Sequence, residues 1–143
     1  PSSLVLDRFG KLWTVTDGRT AGIPAALYRI DAATRRVEQT YTFAAGDHPS
    51  SVTLNGTRDT LYFINRDVWR MRVDAEELPV TPFLPYTQTT YYEVAVDPLT
   101  SEVYVADAID YVQHGVVYRF TARGAAVDTI RVGITPGSFC FKP

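Results

Sequence analysis

The stretch VTLNGTRDTLYFINRDVWRM, residues 52–71, decides the fold. Val52-Thr53-Leu54 is a short apolar run that stops at Asn55, and Gly56-Thr57-Arg58-Asp59 has the composition of a turn. A second run follows, in which an apolar residue precedes an aromatic one, Leu61-Tyr62. Asn65 to Asp67 break it, and a third run carries an aromatic-arginine pair, Trp69-Arg70. Thr, Val and Tyr stand where a helix would want Ala or Leu, and no apolar face recurs at helical spacing. The stretch reads as antiparallel strands joined by turns.

The same grammar recurs on both sides. Leu4-Val5-Leu6-Asp7 and Val94-Ala95-Val96-Asp97 are opening runs like Val52 to Asn55, and they repeat about every 45 residues. Leu12-Trp13 and Val103-Tyr104 repeat the second run, and Tyr28-Arg29 and Tyr118-Arg119 the third. Fourth runs are expected at Val37 to Phe43, around Val80 to Leu84, and at Val127 to Val132. Four antiparallel strands at this period are the mark of a β-propeller blade. The expected fold is therefore all-β, with blades over about 2–49, 50–91 and 92–137 and an extra strand at 138–142. A four-stranded blade cannot cover both its faces alone, so the strand Tyr and Trp are read as packing between blades. Arg29, Arg70 and Arg119 share one blade position and are assigned to ion pairs or stacking. Cys140, in the extra strand, is read as a buried, inert thiol.

Three blades cannot close a ring, since propellers close with about four to eight. The expectation is thus the C-terminal part of a propeller of about seven blades, whose open faces are covered by another copy or by the rest of the molecule. The chain opens at Pro1 with no initiating Met, which fits a processed or cut beginning.

Composition narrows the function. The 143 residues are 45% hydrophobic and 13% aromatic with a formal net charge of −2, which gives a core but no basic face for a nucleic acid. No apolar run reaches the length of a membrane span, and no basic-then-apolar leader opens the chain. One cysteine rules out an internal disulfide and any multi-cysteine metal site.

Function on such a scaffold belongs to the loops between strands two and three and between strand four and the next blade, which meet on one rim. They bring Asp17, Arg19, His48, Asn65, Arg66, Tyr86, Tyr91, Tyr92, Asp107, Asp110, Tyr111 and His114 to that rim as candidate ligand-binding residues. Exposed tyrosines offer flat apolar faces with a hydroxyl handle, which makes Tyr86, Tyr91 and Tyr92 the most suggestive. His48 and His114 are turn residues or, if they meet over the channel, ligands. Asp107 and Asp110 look like half of a calcium loop, but the glycine and bidentate glutamate are missing, and aspartates at strand ends cap turns. No nucleophile elbow, zinc-protease motif or phosphate-binding loop is present. No catalytic residue, metal or cofactor is assigned.

DRFGKLWTVTDG (7–18), ALYRID (26–31), LNGTRDTLYFINRDVWRM (54–71), VAVDPLTSEVYVADAIDYVQHGVVYRF (94–120) and RVGITPGSFCF (131–141) together carry a resemblance. They resemble the C-terminal half of YncE-like, YVTN-repeat propellers, seven-bladed surface proteins of gut bacteria, and among these the BtuG-type corrinoid-binding group. The resemblance implies a non-enzymatic propeller at the cell surface or in the periplasm, with signal and lipid anchor outside this chain. It implies capture of cobalamin and its transfer to an outer-membrane transporter. Two other functions fit the same rim: a protein-interaction scaffold of the cell envelope, and a propeller lyase or lactonase.

Overall fold

The computed structural model describes residues 3–87 and 90–142. Ser2, at the start of the first expected blade, and Gln88 and Thr89, near the end of the second, lie outside the described residues. Among the described residues there is no helix.

Eleven strands form three antiparallel sheets. The first holds β1 (Leu4–Leu6), β2 (Lys11–Thr16), β3 (Ala26–Asp31) and β4 (Arg36–Thr42), in that spatial order. The second holds β5 (Ser50–Leu54), β6 (Thr60–Asn65) and β7 (Asp67–Arg72). The third holds β8 (Tyr91–Val96), β9 (Val103–Asp107), β10 (Val116–Phe120) and β11 (Ala126–Arg131). Strand order follows chain order in each, which is the plain meander of a propeller blade. The opening strands β1, β5 and β8 lie side by side, β5 against both of the others.

The core sits between the sheets. Trp13, Val15, Leu27, Tyr41 and Phe43 of the first blade pack against Val52, Leu61, Phe63 and Met71 of the second. Tyr62, Ile64 and Val68 on the second blade's other face pack against Val94, Val96, Val103 and Val105 of the third. Successive strand residues face opposite sides, so β6 sends Leu61 and Phe63 one way and Tyr62 and Ile64 the other. All four are buried, because only the middle blade has a neighbour on each face.

Each opening strand ends on a side chain that accepts from the turn after it. Asp7 accepts the Phe9 and Lys11 amides at 2.8 and 2.9 Å. Asn55 accepts those of Asp59 and Thr60 at 3.1 Å. Asp97 accepts those of Leu99 and Thr100 at 2.7 and 3.1 Å. The bonds from Phe9 and Leu99, two residues on, make Asx turns of the first and third, while Asn55 reaches four and five residues on and closes a longer turn. The three arginines serve packing: Arg29 reaches Glu76 of the next blade at 3.7 Å, and Arg70 lies over Phe83 at 4.2 Å and donates to the Ala122 carbonyl. Arg119 grips Glu102 with two nitrogens, at 3.1 and 2.8 Å.

Two expectations are corrected. The fourth strand of the second blade shrinks to one bridge, Val68 with Leu84. Pro79, Pro82 and Pro85 remove amides from that segment, and a ladder cannot run through them. Val80 points to solvent, while Phe83 and Leu84 do the packing. The second correction concerns 138–142, which form no strand. An opening strand pairs only with the second strand of its own blade, and this segment has none in the chain. Phe139 and Phe141 nevertheless lean on Tyr104, with ring centroids 6.2 and 5.4 Å away. Cys140, alternating with them, faces out and is exposed rather than buried.

Candidate functional site

Because strands alternate in direction, the turns after β2, β6 and β9 share one end of the blades with the segments after β4, after the Leu84 bridge and after β11. A cavity of about 720 Å³ opens at that end over the junction of β1, β5 and β8.

The first blade contributes Asp17, Arg19 and His48 to its lining. The Asp17 carboxylate pairs with the Arg19 guanidinium at 3.3 Å. The Asp17 carbonyl lies 2.7 Å from His48 Nδ1 and ties the loop after β2 to the segment after β4. A carbonyl only accepts, so Nδ1 carries the proton and neutral His48 keeps its lone pair on Nε2.

The second blade contributes Arg66 and Tyr86. Arg66 turns the chain between β6 and β7 in one left-handed residue, φ 61°, and lies over the Tyr86 ring at 4.6 Å. The Tyr86 amide donates to Asp67 at 2.6 Å, which fixes the ring's approach.

The third blade contributes Tyr91, Tyr92 and Tyr111. Tyr92 and Tyr111 meet edge to face at 5.9 Å, and each is exposed. Tyr111 sits in the loop after β9, where Ile109 and Tyr111 both take left-handed backbone, φ 56° and 65°. For a β-branched residue that is strained, and it presents Tyr111 to the cavity. The Tyr91 hydroxyl donates to the Pro85 carbonyl at 3.4 Å.

Four expected residues lie elsewhere. Asn65 lines a separate cavity of about 170 Å³, with Thr42, Phe43, Asp47 and Trp69. Its carbonyl accepts the Trp69 indole N–H at 3.0 Å. Asp107 is wholly buried, accepting the Thr90 and Ile109 amides at 3.0 and 2.8 Å and the Tyr118 hydroxyl at 3.3 Å. Asp110 accepts the Val112 and Gln113 amides at 3.0 and 2.9 Å, and those bonds hold its carboxyl below the usual range. His114 Nδ1 meets the Val132 carbonyl at 3.0 Å. These contacts are architectural: they cap turns and join loops.

Sequence reasoning missed Ser3, Ser51 and Glu93, which also line the main cavity. The Ser51 hydroxyl donates to the Glu93 carboxylate and accepts the Val94 amide. Burial pushes the Glu93 carboxyl up, and the Ser51 and Val94 hydrogen bonds offset part of that. The signal was available, because these three side chains occupy the same place in the three opening segments.

The site thus combines aromatic faces, one guanidinium stacked on a ring, one imidazole and one half-buried carboxylate. Among the described residues, no group of three His, Cys, Asp or Glu side chains is placed to hold a metal ion. The arrangement suits a flat, amphipathic molecule held by ring contact and edge hydrogen bonds.

Comparison with known proteins bears on the fold. No protein-family model matches the chain, and no curated protein does. Solved structures do. A quinoprotein alcohol dehydrogenase-like protein of Bacteroides thetaiotaomicron superposes with a TM-score of 0.73 at 14% identity, over 93% of this chain and 34% of that one. A protein of unknown function from Bacteroides caccae gives 0.57 at 13% identity, over 77% and 38%. The Swd1 β-propeller domain of Myceliophteria thermophila gives 0.60 at 17% identity, over 90% and 40%. The chain has the β-propeller fold and spans between 34% and 40% of the length of these structures.

Proposed function

We propose that this chain belongs to a non-enzymatic binding propeller that captures a bulky planar ligand on the rim, with a corrinoid such as cobalamin foremost. The observation that carries the reading is the cavity of about 720 Å³ walled by Tyr86, Tyr91, Tyr92 and Tyr111. Ligand pockets run to about 300–1,000 Å³, and this one sets its aromatic walls among a comparable share of polar and charged side chains. A corrinoid is a broad flat ring fringed with amides. Tyrosine faces suit its plane, and Arg19, Arg66, Asp17 and Glu93 suit its fringe. In the same reading the protein works at the cell surface or in the periplasm and hands its cargo to an outer-membrane transporter.

The test is calorimetry with cyanocobalamin. Micromolar or tighter binding is expected, with Tyr92→Ala and Tyr111→Ala each weakening it several-fold through lost ring contact. No heat at micromolar concentrations overturns the reading. A second reading, an envelope interaction scaffold, draws on Ile23, Val112 and Ile134, apolar side chains exposed on the loops of this end. Pull-down of an envelope protein that Val112→Asp abolishes, with cobalamin giving no heat, would favour it.

A further inference from the structure

Resting on the planar-ligand reading, one residue names the ligand's class more closely. His48 is the sole imidazole among the described residues that line the cavity. Its Nδ1–H is committed to the Asp17 carbonyl at 2.7 Å, so the ring is oriented and the Nε2 lone pair is free. A hydrogen bond from the other ring nitrogen is the usual support of a metal-bound histidine, since it fixes the tautomer and raises ligand basicity. Yet one imidazole cannot hold a free ion, and no three-donor group accompanies it among the described residues.

It can fill one position on a metal whose other ligands travel with the molecule. A metal-centred planar macrocycle offers such a position perpendicular to its ring. In this cavity the flat face would meet tyrosine rings while the open axial position meets an imidazole. We infer that the cavity takes a metal-centred planar macrocycle and that His48 Nε2 binds its metal. The step is a ligand exchange. The metal–water bond breaks, the Nε2 lone pair forms the new bond, and water leaves. No electron or proton is transferred.

His114 supplies the contrast. Its Nδ1 meets a carbonyl in the same manner, at 3.0 Å to Val132, but it does not line the cavity. The hydrogen bond alone therefore ties loops together, and what sets His48 apart is its place among the rings.

The experiment titrates aquocobalamin, haemin and zinc ion separately into the protein and records visible spectra and affinity. The expected result is a shift of the macrocycle's visible bands to longer wavelength as nitrogen replaces axial water. His48→Ala should abolish the shift and weaken binding at least tenfold, the scale on which metal sites lose affinity. His48→Gln keeps a side-chain N–H for the Asp17 carbonyl and should abolish the shift equally, which separates coordination from loop tethering. His114→Ala should leave spectrum and affinity unchanged. A shift with haemin alone supports the coordination and makes haem the macrocycle. Binding heat with no shift, or a shift that survives both His48 variants, overturns the inference and leaves the planar-ligand reading standing. Micromolar zinc binding lost in His48→Ala overturns it as well, by making this a free-ion site. No heat with either macrocycle overturns both.

Discussion

Asp7→Asn should destabilise the chain by about 2–3 kcal/mol, and the reason is the indole beside it. Asp7 is 3% exposed and Trp13 is fully buried. Oδ1 of Asp7 serves the Phe9 and Lys11 amides, and Oδ2 accepts Trp13 Nε1–H at 2.8 Å. Asparagine keeps one acceptor and turns the other into a donor. If the oxygen stays with the amides, the new NH₂ faces the indole N–H, and that buried donor has no other partner. A hydrogen bond to a charged group is worth about 1.5–3 kcal/mol, and an orphaned buried donor costs about 1–3 kcal/mol. With a urea dependence of about 2 kcal/mol per molar, the unfolding midpoint should fall by about 1 M. The second blade shows that asparagine itself is tolerated at this position. Asn55 accepts its two amides and donates to Asp59 at 2.9 Å. The residue equivalent to Trp13 in that blade is Tyr62, which pairs with Thr53 as Trp13 does with Val5 and has no ring N–H. Trp13→Phe should therefore remove most of the penalty, leaving Asp7→Asn within about 0.5 kcal/mol in that background. A full double-mutant cycle by urea unfolding reads the coupling. Asp7→Asn costing the same in the Trp13→Phe background as with the indole in place, or costing nothing with the indole in place, refutes the reasoning.

Glu93→Gln should raise the melting temperature at pH 7. Burial pushes the folded carboxyl above its unfolded value, so the penalty is full above the folded value and gone below about pH 4, where both states are protonated. Thermal melts of both proteins from pH 7 to pH 4 should converge, and a gain that persists at pH 4 would rule out the carboxylate as its source. Gly56→Ala should lower the melting temperature by about 5–10 °C, because its Cβ would stand 1.8 Å from the Pro98 carbonyl oxygen of the next blade. An unchanged melt would mean that the two turns are not in contact.

How much of this was legible depends on the range of the interaction. Opening runs, Asx turns and the aromatic-arginine pair are local or fall at fixed places in a repeat, so periodicity finds them. The second blade's fourth strand is not legible from apolar pattern alone, because Pro79, Pro82 and Pro85 withhold the amides that a ladder needs and leave the single bridge at Leu84. The rim was legible as a set of loops. Which members face the cavity was not, because that depends on whether a side chain is already committed. Asp107 closes β9 and Asp110 lies in the loop after it, and each carboxylate is taken up by two backbone amides. That of Asp17 accepts one, from Arg19, and pairs with the Arg19 guanidinium as well. The tyrosines were found because no turn needs one. Ser51 and Glu93 were overlooked because each looks ordinary alone and becomes visible only when the three blades are aligned.

That alignment also says what the cavity floor does. Ser3 Oγ accepts the Val52 amide at 2.8 Å, and Ser51 Oγ accepts the Val94 amide at 3.1 Å. Each hydroxyl thus joins one opening strand to the next. Irregular pairing at Ser50/Val52 and Tyr91/Glu93 marks bulges at these points, and Ser51 takes left-handed backbone, φ 50°, to aim its side chain across. In the third blade the equivalent position is Glu93, and a carboxylate can only accept. It receives the Ser51 hydroxyl, and so fixes the rotor whose lone pair holds Val94. Ser51 and Glu93 line the cavity as well. A molecule in the cavity that takes Glu93 Oε1 as its acceptor displaces Ser51 and alters the bond between two blades, whereas one that donates to Oε2 can be accepted beside it. One that leaves Glu93 alone leaves that bond as it is. Occupancy of the cavity and packing of the second and third blades therefore share a residue, and ligand chemistry decides whether they are coupled.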